Sequence, residues 1–252
     1  MSTTTSTSGT DTTRISVQPG ETRARVGLVT GAIAPRLIER DTTSAKVALA
    51  AAQMLLLDGD AVRIEIEVGA GCTLELEDIG GTVAYPGTSS WEVVARIGAR
   101  GRLLWKGLPF VVAAEARAHR HTHLLLGADA AVLLRETLVL GRHDEIGGAI
   151  DSSLTVFDSD GPVLVERLDA DGALPGPGVL GTNRVIDAVI AVGFRPPTRP
   201  GDLELEQPGA VARVIGLHTH ASGLGPVWAG WRSALVDTAD RAIYELAPST
   251  RP

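Results

Sequence analysis

One cysteine, Cys72, occurs in the 252 residues, so the chain cannot form an internal disulfide, and a reduced, cytoplasmic compartment is expected. Long apolar runs are missing too. No stretch nears the roughly 18–20 residues that a helix needs to cross a bilayer, so no membrane partner is expected. There is no block of lysine or arginine, and the formal net charge is −7. Nucleic acid is not an expected partner, because a phosphate backbone calls for clustered positive charge. Residues 1–13 are rich in Ser and Thr and lack the basic and apolar regions of a secretion signal; they read as a disordered tail. A nucleophile elbow, a phosphate-cradling glycine loop and a Cys/His cluster for structural zinc are all absent. Gly176-Pro-Gly-Val-Leu-Gly181 is made rigid by its prolines rather than shaped to cradle a phosphate. The chain is therefore not expected to be an enzyme.

What is present is alternation. Hydrophobic residues make up 44% and charged residues 21%, a soluble globular composition, and 29 glycines with 14 prolines imply many turns between short elements. Val62, Ile64, Ile66 and Val68 alternate with Arg63, Glu65 and Glu67, and after Gly69-Ala-Gly71 the alternation resumes at Leu74 and Leu76. The pattern reads as two strands joined in a hairpin by a short glycine turn. Further strands are read over 91–97, 102–105, 116–126 and 130–140. Residues 150–157 and 163–168 flank Asp158-Ser-Asp-Gly161, a strong hairpin signal. Residues 172–181 form a loop and 194–201 a proline-rich connector, while 183–192 fit a helix or a strand equally well. One helix is predicted from Pro226 to about Tyr244, with Trp228, Trp231, Leu235, Val236 and Ala239 as its apolar stripe. No repeat of fixed length is visible. The expected fold is mostly β: many short strands, one or two helices, and a helix at the C-terminal end.

Three places could carry chemistry. Arg135 and Glu136 sit side by side in the apolar run 130–140, and neighbours on a strand point to opposite faces. A charge among apolar neighbours costs several kcal/mol unless it is paired, so such a position is either an ion pair or a working site. Glu136 is expected to face the interior, with Arg135 on the other face. Asp60, before a strand, and Glu166, beside Arg167 in an apolar strand, are acids in similar settings. His119, His121 and His123 recur at period two, about 7 Å apart on one strand face, which admits a metal-binding reading. Arg117 belongs to the same set, as on a solvated face. His218 and His220 repeat the spacing near glycines.

Taken in order, several segments resemble the urease accessory protein family called UreD, or UreH in some organisms. Ala34-Pro-Arg-Leu-Ile-Glu-Arg40 resembles an early strand of that family, and Gly59-Asp60 its Gly-Asp after a glycine-rich turn. Gly69-Ala-Gly-Cys-Thr73 resembles its next hairpin, and Thr82-Val-Ala-Tyr-Pro86, with Tyr85, its Ser/Thr-x-x-Tyr segment. Leu103-Leu-Trp105, Leu140-Gly-Arg142 and Leu164-Val-Glu-Arg-Leu168 are similar to three further motifs, the second through Gly141 and Arg142. Val227-Trp228 with Arg232 resembles the closing one. Leu55-Leu-Leu57 stands where the family has a glycine pair and Leu104 where it has Glu, so the chain is identified as a divergent member.

The resemblance implies a β-helical domain over 14–252 and a non-enzymatic role: binding apo-urease and the accessory proteins UreF and UreG. It implies an internal path for Ni²⁺ in transit, with no tightly bound cofactor. Asp60, Glu136 and Glu166 match acidic positions of that path, and Thr82 a hydroxyl position. The competing expectation is a β-barrel metalloenzyme built on His119, His121 and His123.

Overall fold

A computed structural model of the protein describes residues 12–174, 176 and 178–246. The expected tail therefore lies outside the described residues up to residue 11. Thr13 already opens the first strand, fully buried, with its hydroxyl donating to Ile33 O at 2.8 Å.

The strands are β1 (Thr13–Gln18), β2 (Arg25–Val29), β3 (Ile33–Arg40), β4 (Ser44–Ala51), β5 (Ala61–Val68) and β6 (Thr73–Asp78). They continue with β7 (Thr82–Ala84), β8 (Gly87–Ile97), β9 (Arg102–Lys106), β10 (Phe110–Val112), β11 (Ala116–Leu126) and β12 (Ala131–Leu140). The last are β13 (Ala149–Asp158), β14 (Gly161–Asp171), β15 (Val185–Val192), β16 (Leu203–Glu204) and β17 (Gly209–Gly216), followed by the helix α1 (Gly225–Leu246). No helix among the described residues is long and apolar enough to cross a membrane.

Consecutive strands do not pair with each other through the middle of the chain. They alternate between two facing sheets. Sheet I runs β14-β13-β11-β8-β5-β1-β2, and sheet II runs β16-β17-β15-β12-β9-β6-β4-β3. The central pairs are parallel, and antiparallel hairpins close both ends. Short β7 and β10, with the end of β12, form a third side. The result is a coil of stacked turns, a solenoid. The hairpin expected over 62–77 is not formed, because β5 lies in sheet I and β6 in sheet II. Alternation reveals a strand and its faces but not its partner, and here the partner lies one coil away.

The coil has a fixed length that the residues themselves conceal. Ser44 stacks on Thr73, Thr73 on Arg102, and Arg102 on Ala131, each step 29 residues. Ala61, Ser90 and His119 step likewise on the other sheet. The corners repeat as well: Gly69-Ala-Gly71, Gly98-Ala-Arg100 and Gly127-Ala-Asp129 each put their third residue at positive φ, 66°, 56° and 55°. In each corner, the amide of the following residue donates to the carbonyl of the first glycine. That first glycine touches the coil below. A Cβ on Gly127 would sit 2.7 Å from Ala99 N, and one on Gly98 2.8 Å from Ala70 N.

The main core fills the space between the sheets, with Ile64, Ile66, Val93, Leu74, Leu76, Leu103, Val132 and Leu134 among its members. A second core lies on the outer face of sheet II, where Leu133, Val189 and Ala212 meet Val227, Trp228, Trp231 and Leu235 of α1. Trp231 Nε1 also donates to Pro197 O at 2.9 Å. The segment 183–192 resolves as strand β15, apolar on both sides because one face meets the main core and the other meets α1. That double burial erased its period. Of the predicted helix stripe, the side chains of Val236 and earlier members are described, and that of Ala239 lies outside the described residues.

Candidate functional site

The adjacent charges on β12 divide between the two faces of sheet II. Arg135 turns to the α1 side, where Nη2 lies 2.9 Å from Asp187 Oδ2 and Thr137 Oγ1 donates to Asp187 Oδ1 at 2.9 Å. Asp187 is only 1% exposed. Burial pushes its carboxyl up, but the Arg135 guanidinium and the Ser222 and Thr137 hydroxyls outweigh it and hold the group below the usual carboxylate range. Glu136 follows Val132 and Leu134 into the space between the sheets. There Arg120 Nη2 of β11 meets its Oε1 at 2.5 Å, with both side chains largely buried.

Glu136 stands in a column. Glu77 pairs with Lys106 and Lys106 with Arg135, so the next residues, Asp78, Gly107 and Glu136, occupy one position on three successive coils. Two carboxylates thus face inward with a glycine between them. Asp78 accepts hydrogen bonds from Trp105 Nε1 and Leu108 N, both at 2.9 Å. Burial pushes its pKa up, and those two donors and the Arg120 charge pull against it.

Gly107 is one wall of a cavity of about 50 Å³, lined also by Asp78, Thr82, Trp105, Arg120, Thr122 and Glu136 among others. The Thr122 hydroxyl is buried there without a hydrogen-bond partner. A buried polar group without a partner, beside other polar groups, is the kind of position a single bridging water satisfies, and the cavity has room for about one. Two further spaces adjoin it. One, of about 180 Å³, shares Asp78, Thr82 and Trp91 as walls and reaches Met54, Gly81 and Tyr85. The other, of about 570 Å³, shares Glu136 and Leu138 and reaches Ser152, Glu166 and Arg213. The three lie in series along the stack of coils, with an acid at each junction.

Of the path residues expected from sequence, the structure brings Thr82, Glu136 and Glu166 onto this series. Glu166 lies opposite Leu154 on β14, and both its oxygens meet Arg213 Nη2, at 2.7 and 2.8 Å. Asp60 lines none of the three spaces. It closes the turn before β5 by accepting from Leu57 N at 2.9 Å.

The remaining motif residues build the frame. Gly59 takes φ 84° and Gly141 φ 81°. Tyr85 walls the outer space, Trp105 holds Asp78, and Arg142 pairs with Glu145, whose carboxyl it lowers to about 2. Trp228 packs α1 on sheet II, and Arg232, one turn later, reaches Glu75 at 2.6 Å.

The histidines share a face, as period two requires, but it is the outer face of sheet I. His121 Nδ1 lies 2.8 Å from Ser153 Oγ and His123 Nδ1 2.7 Å from Thr155 Oγ1, while His119 stands over Asp151. The sheets do not close into a barrel, and among the described residues no three His, Cys, Asp or Glu are grouped to hold a metal ion. This removes the basis for a β-barrel metal centre, since the inward residues of β11 are Ala118, Arg120, Thr122 and Leu124. His218 and His220 stack on each other, exposed, with centroids 5.3 Å apart.

Asp78, Arg120, Thr122 and Arg213 were not singled out from sequence. The first three had a signal. Asp78 continues the inward row Leu74, Leu76, and Arg120 and Thr122 alternate between Ala118 and Leu124. Arg213 had none, since its partner is 47 residues away.

Comparison with known proteins matches this sequence to one family. The family described as UreD urease accessory protein matches residues 55–237. Urease accessory protein UreD 1 of Streptomyces griseus subsp. griseus is 39% identical over 190 residues, 73% of this chain and 74% of that protein. Urease accessory protein UreD of Parafrankia sp. is 34% identical over 177 residues, 69% of this chain and 59% of that protein. UreD 2 of Saccharopolyspora erythraea is 28% identical over 215 residues, 80% of this chain and 76% of that protein. With its stacked coils, its acid-lined interior and these matches along most of its length, the chain belongs to the UreD urease accessory protein family.

Proposed function

We propose that the protein is a non-enzymatic urease maturation factor that binds apo-urease together with UreF and UreG and passes Ni²⁺ through the space between its sheets. The observation that carries this reading is the series of three adjoining spaces with Asp78 at the first junction, Glu136 at the second and Glu166 beyond it. Carboxylates and hydroxyls bind a borderline cation such as Ni²⁺ less tightly than imidazole or thiolate, which favours passage over storage. Conduction likewise needs several sites, each weak enough to release. A cytoplasmic location is part of the proposal, and it accords with the single, buried thiol of Cys72.

Co-expression of urease and its partners with and without this chain tests the role. Nickel-loaded, active urease is expected only with the chain present, and equal loading without it overturns the role. Glu136→Gln with Glu166→Gln tests the path: urease should still be captured, but its nickel content should fall. Full loading by that variant refutes the internal route.

A further inference from the structure

Two glutamates of the series, Glu136 largely buried between the sheets and Glu166 part-exposed, are each covered by an arginine from another strand. Arg120 covers Glu136 and Arg213 covers Glu166. A guanidinium on a carboxylate fills the oxygen sites a metal would use, and its charge repels a dication brought beside it. The passage at rest is therefore close to neutral: its walls carry four acids, Asp78, Glu136, Glu166 and Asp169, against four arginines, Arg120, Arg135, Arg167 and Arg213.

Arg120 has somewhere else to go. It comes from sheet I and faces the column Asp78–Gly107–Glu136 of sheet II, so a second carboxylate lines the same cavity. Two strand spacings, about 9.6 Å, separate the ends of that column, a span that a long arginine side chain covers by rotation. No side chain at Gly107 stands in the way. The Phe110 ring lies 5.9 Å from the guanidinium carbon and offers an apolar, cation-tolerant face along the swing.

We propose that Arg120 sets when Glu136 can take a cation: in the free chain its guanidinium covers the carboxylate, and a divalent cation takes that place only after the guanidinium has moved towards Asp78. Arg120 is thus a positioning residue that keeps the passage from trapping metal, and the proposal rests on the reading that the interior conducts nickel.

The test is equilibrium dialysis of the full-length purified protein against Ni²⁺ alone. Wild type, Arg120→Gln, Arg120→Lys and the double variant Arg120→Gln/Glu136→Gln are compared. Surface histidines contribute equally to all four, so differences report the interior. Arg120→Gln should gain one nickel site, tighter than any interior binding in wild type by about tenfold or more, as expected when a like charge a few ångströms away is removed. The double variant should lose that gain. Arg120→Lys keeps the buried charge pair without the two-pronged hold, so it should show a smaller gain; it decides the matter if Arg120→Gln cannot be purified folded. No gain in the folded variants, or a gain that survives in the double variant, overturns the proposal. The two readings fail separately. If the conduit is wrong, Glu136→Gln leaves urease nickel unchanged whatever dialysis gives. If only the gate is wrong, dialysis shows no gain while Glu136→Gln still lowers urease nickel.

Discussion

Arg120 and Glu136 meet across the interior, one from each sheet, and pin the two walls of the solenoid to each other at their most polar point. A pair of this kind is an asymmetric element. Removing one partner strands a charge in a poorly solvated space, whereas removing both strands none.

Arg120→Leu should therefore lower stability by about 3 kcal/mol, and Arg120→Leu with Glu136→Leu by clearly less. Urea unfolding of the two single variants and the double gives the coupling directly. Additive losses would show that the pair is more solvated than its burial indicates.

Asp187 predicts an acid-sensitive clasp under α1. Its pKa is held below the usual value in the folded chain, so the folded state binds fewer protons than the unfolded state around pH 4 and lower. Its contribution is complete above the unfolded pKa of about 3.9 and is lost as pH falls through the folded value. Asp187→Asn should be destabilised at pH 7, and the gap from wild type should close below about pH 4. Unfolding curves from pH 3 to pH 7 check this.

Asp78 predicts the opposite slope. Its pKa is raised by burial, so the folded state holds the proton more firmly, and its stability contribution falls as pH rises from the unfolded value through the folded one. Asp78→Asn keeps an acceptor for Trp105 or Leu108 and should remove that slope. The check is the same pH series, read as a relative gain by the variant towards neutral pH.

The corners predict contrasting effects two residues apart. Gly127→Ala places a methyl 2.7 Å from Ala99 N in the coil below and should cost about 2 kcal/mol. Asp129→Gly relieves a side chain held at φ 55° and should be neutral or stabilising by up to about 1 kcal/mol. Thermal melts of the two variants should move in opposite directions or differ clearly in size.

The alternation of apolar and charged residues made the strands and the inward face of Glu136 legible, and a family resemblance supplied the solenoid. The pairing of strands was not legible from local pattern, because β5 and β6 look like a hairpin until their partners one coil away are known. The coil length could have been read from Gly69-Ala, Gly98-Ala and Gly127-Ala, which mark the same corner three times. Their flanking residues differ enough to hide it. The same spacing links Asp78, Gly107 and Glu136, so half of the candidate site lay in a repeat not yet recognised. Asp60 stands apart from that spacing: it is an acid beside an apolar run, and its carboxylate accepts from Leu57 N in the turn before β5.

A 29-residue coil makes the chain its own ruler. Each coil adds one strand to each wall, about 4.8 Å of length, without altering the corners above and below. The length of the stack is therefore counted out in whole turns of backbone. A duplication or loss of one coil would change the distance between the two ends of the stack by a fixed increment, leaving the spacing of the two sheets untouched.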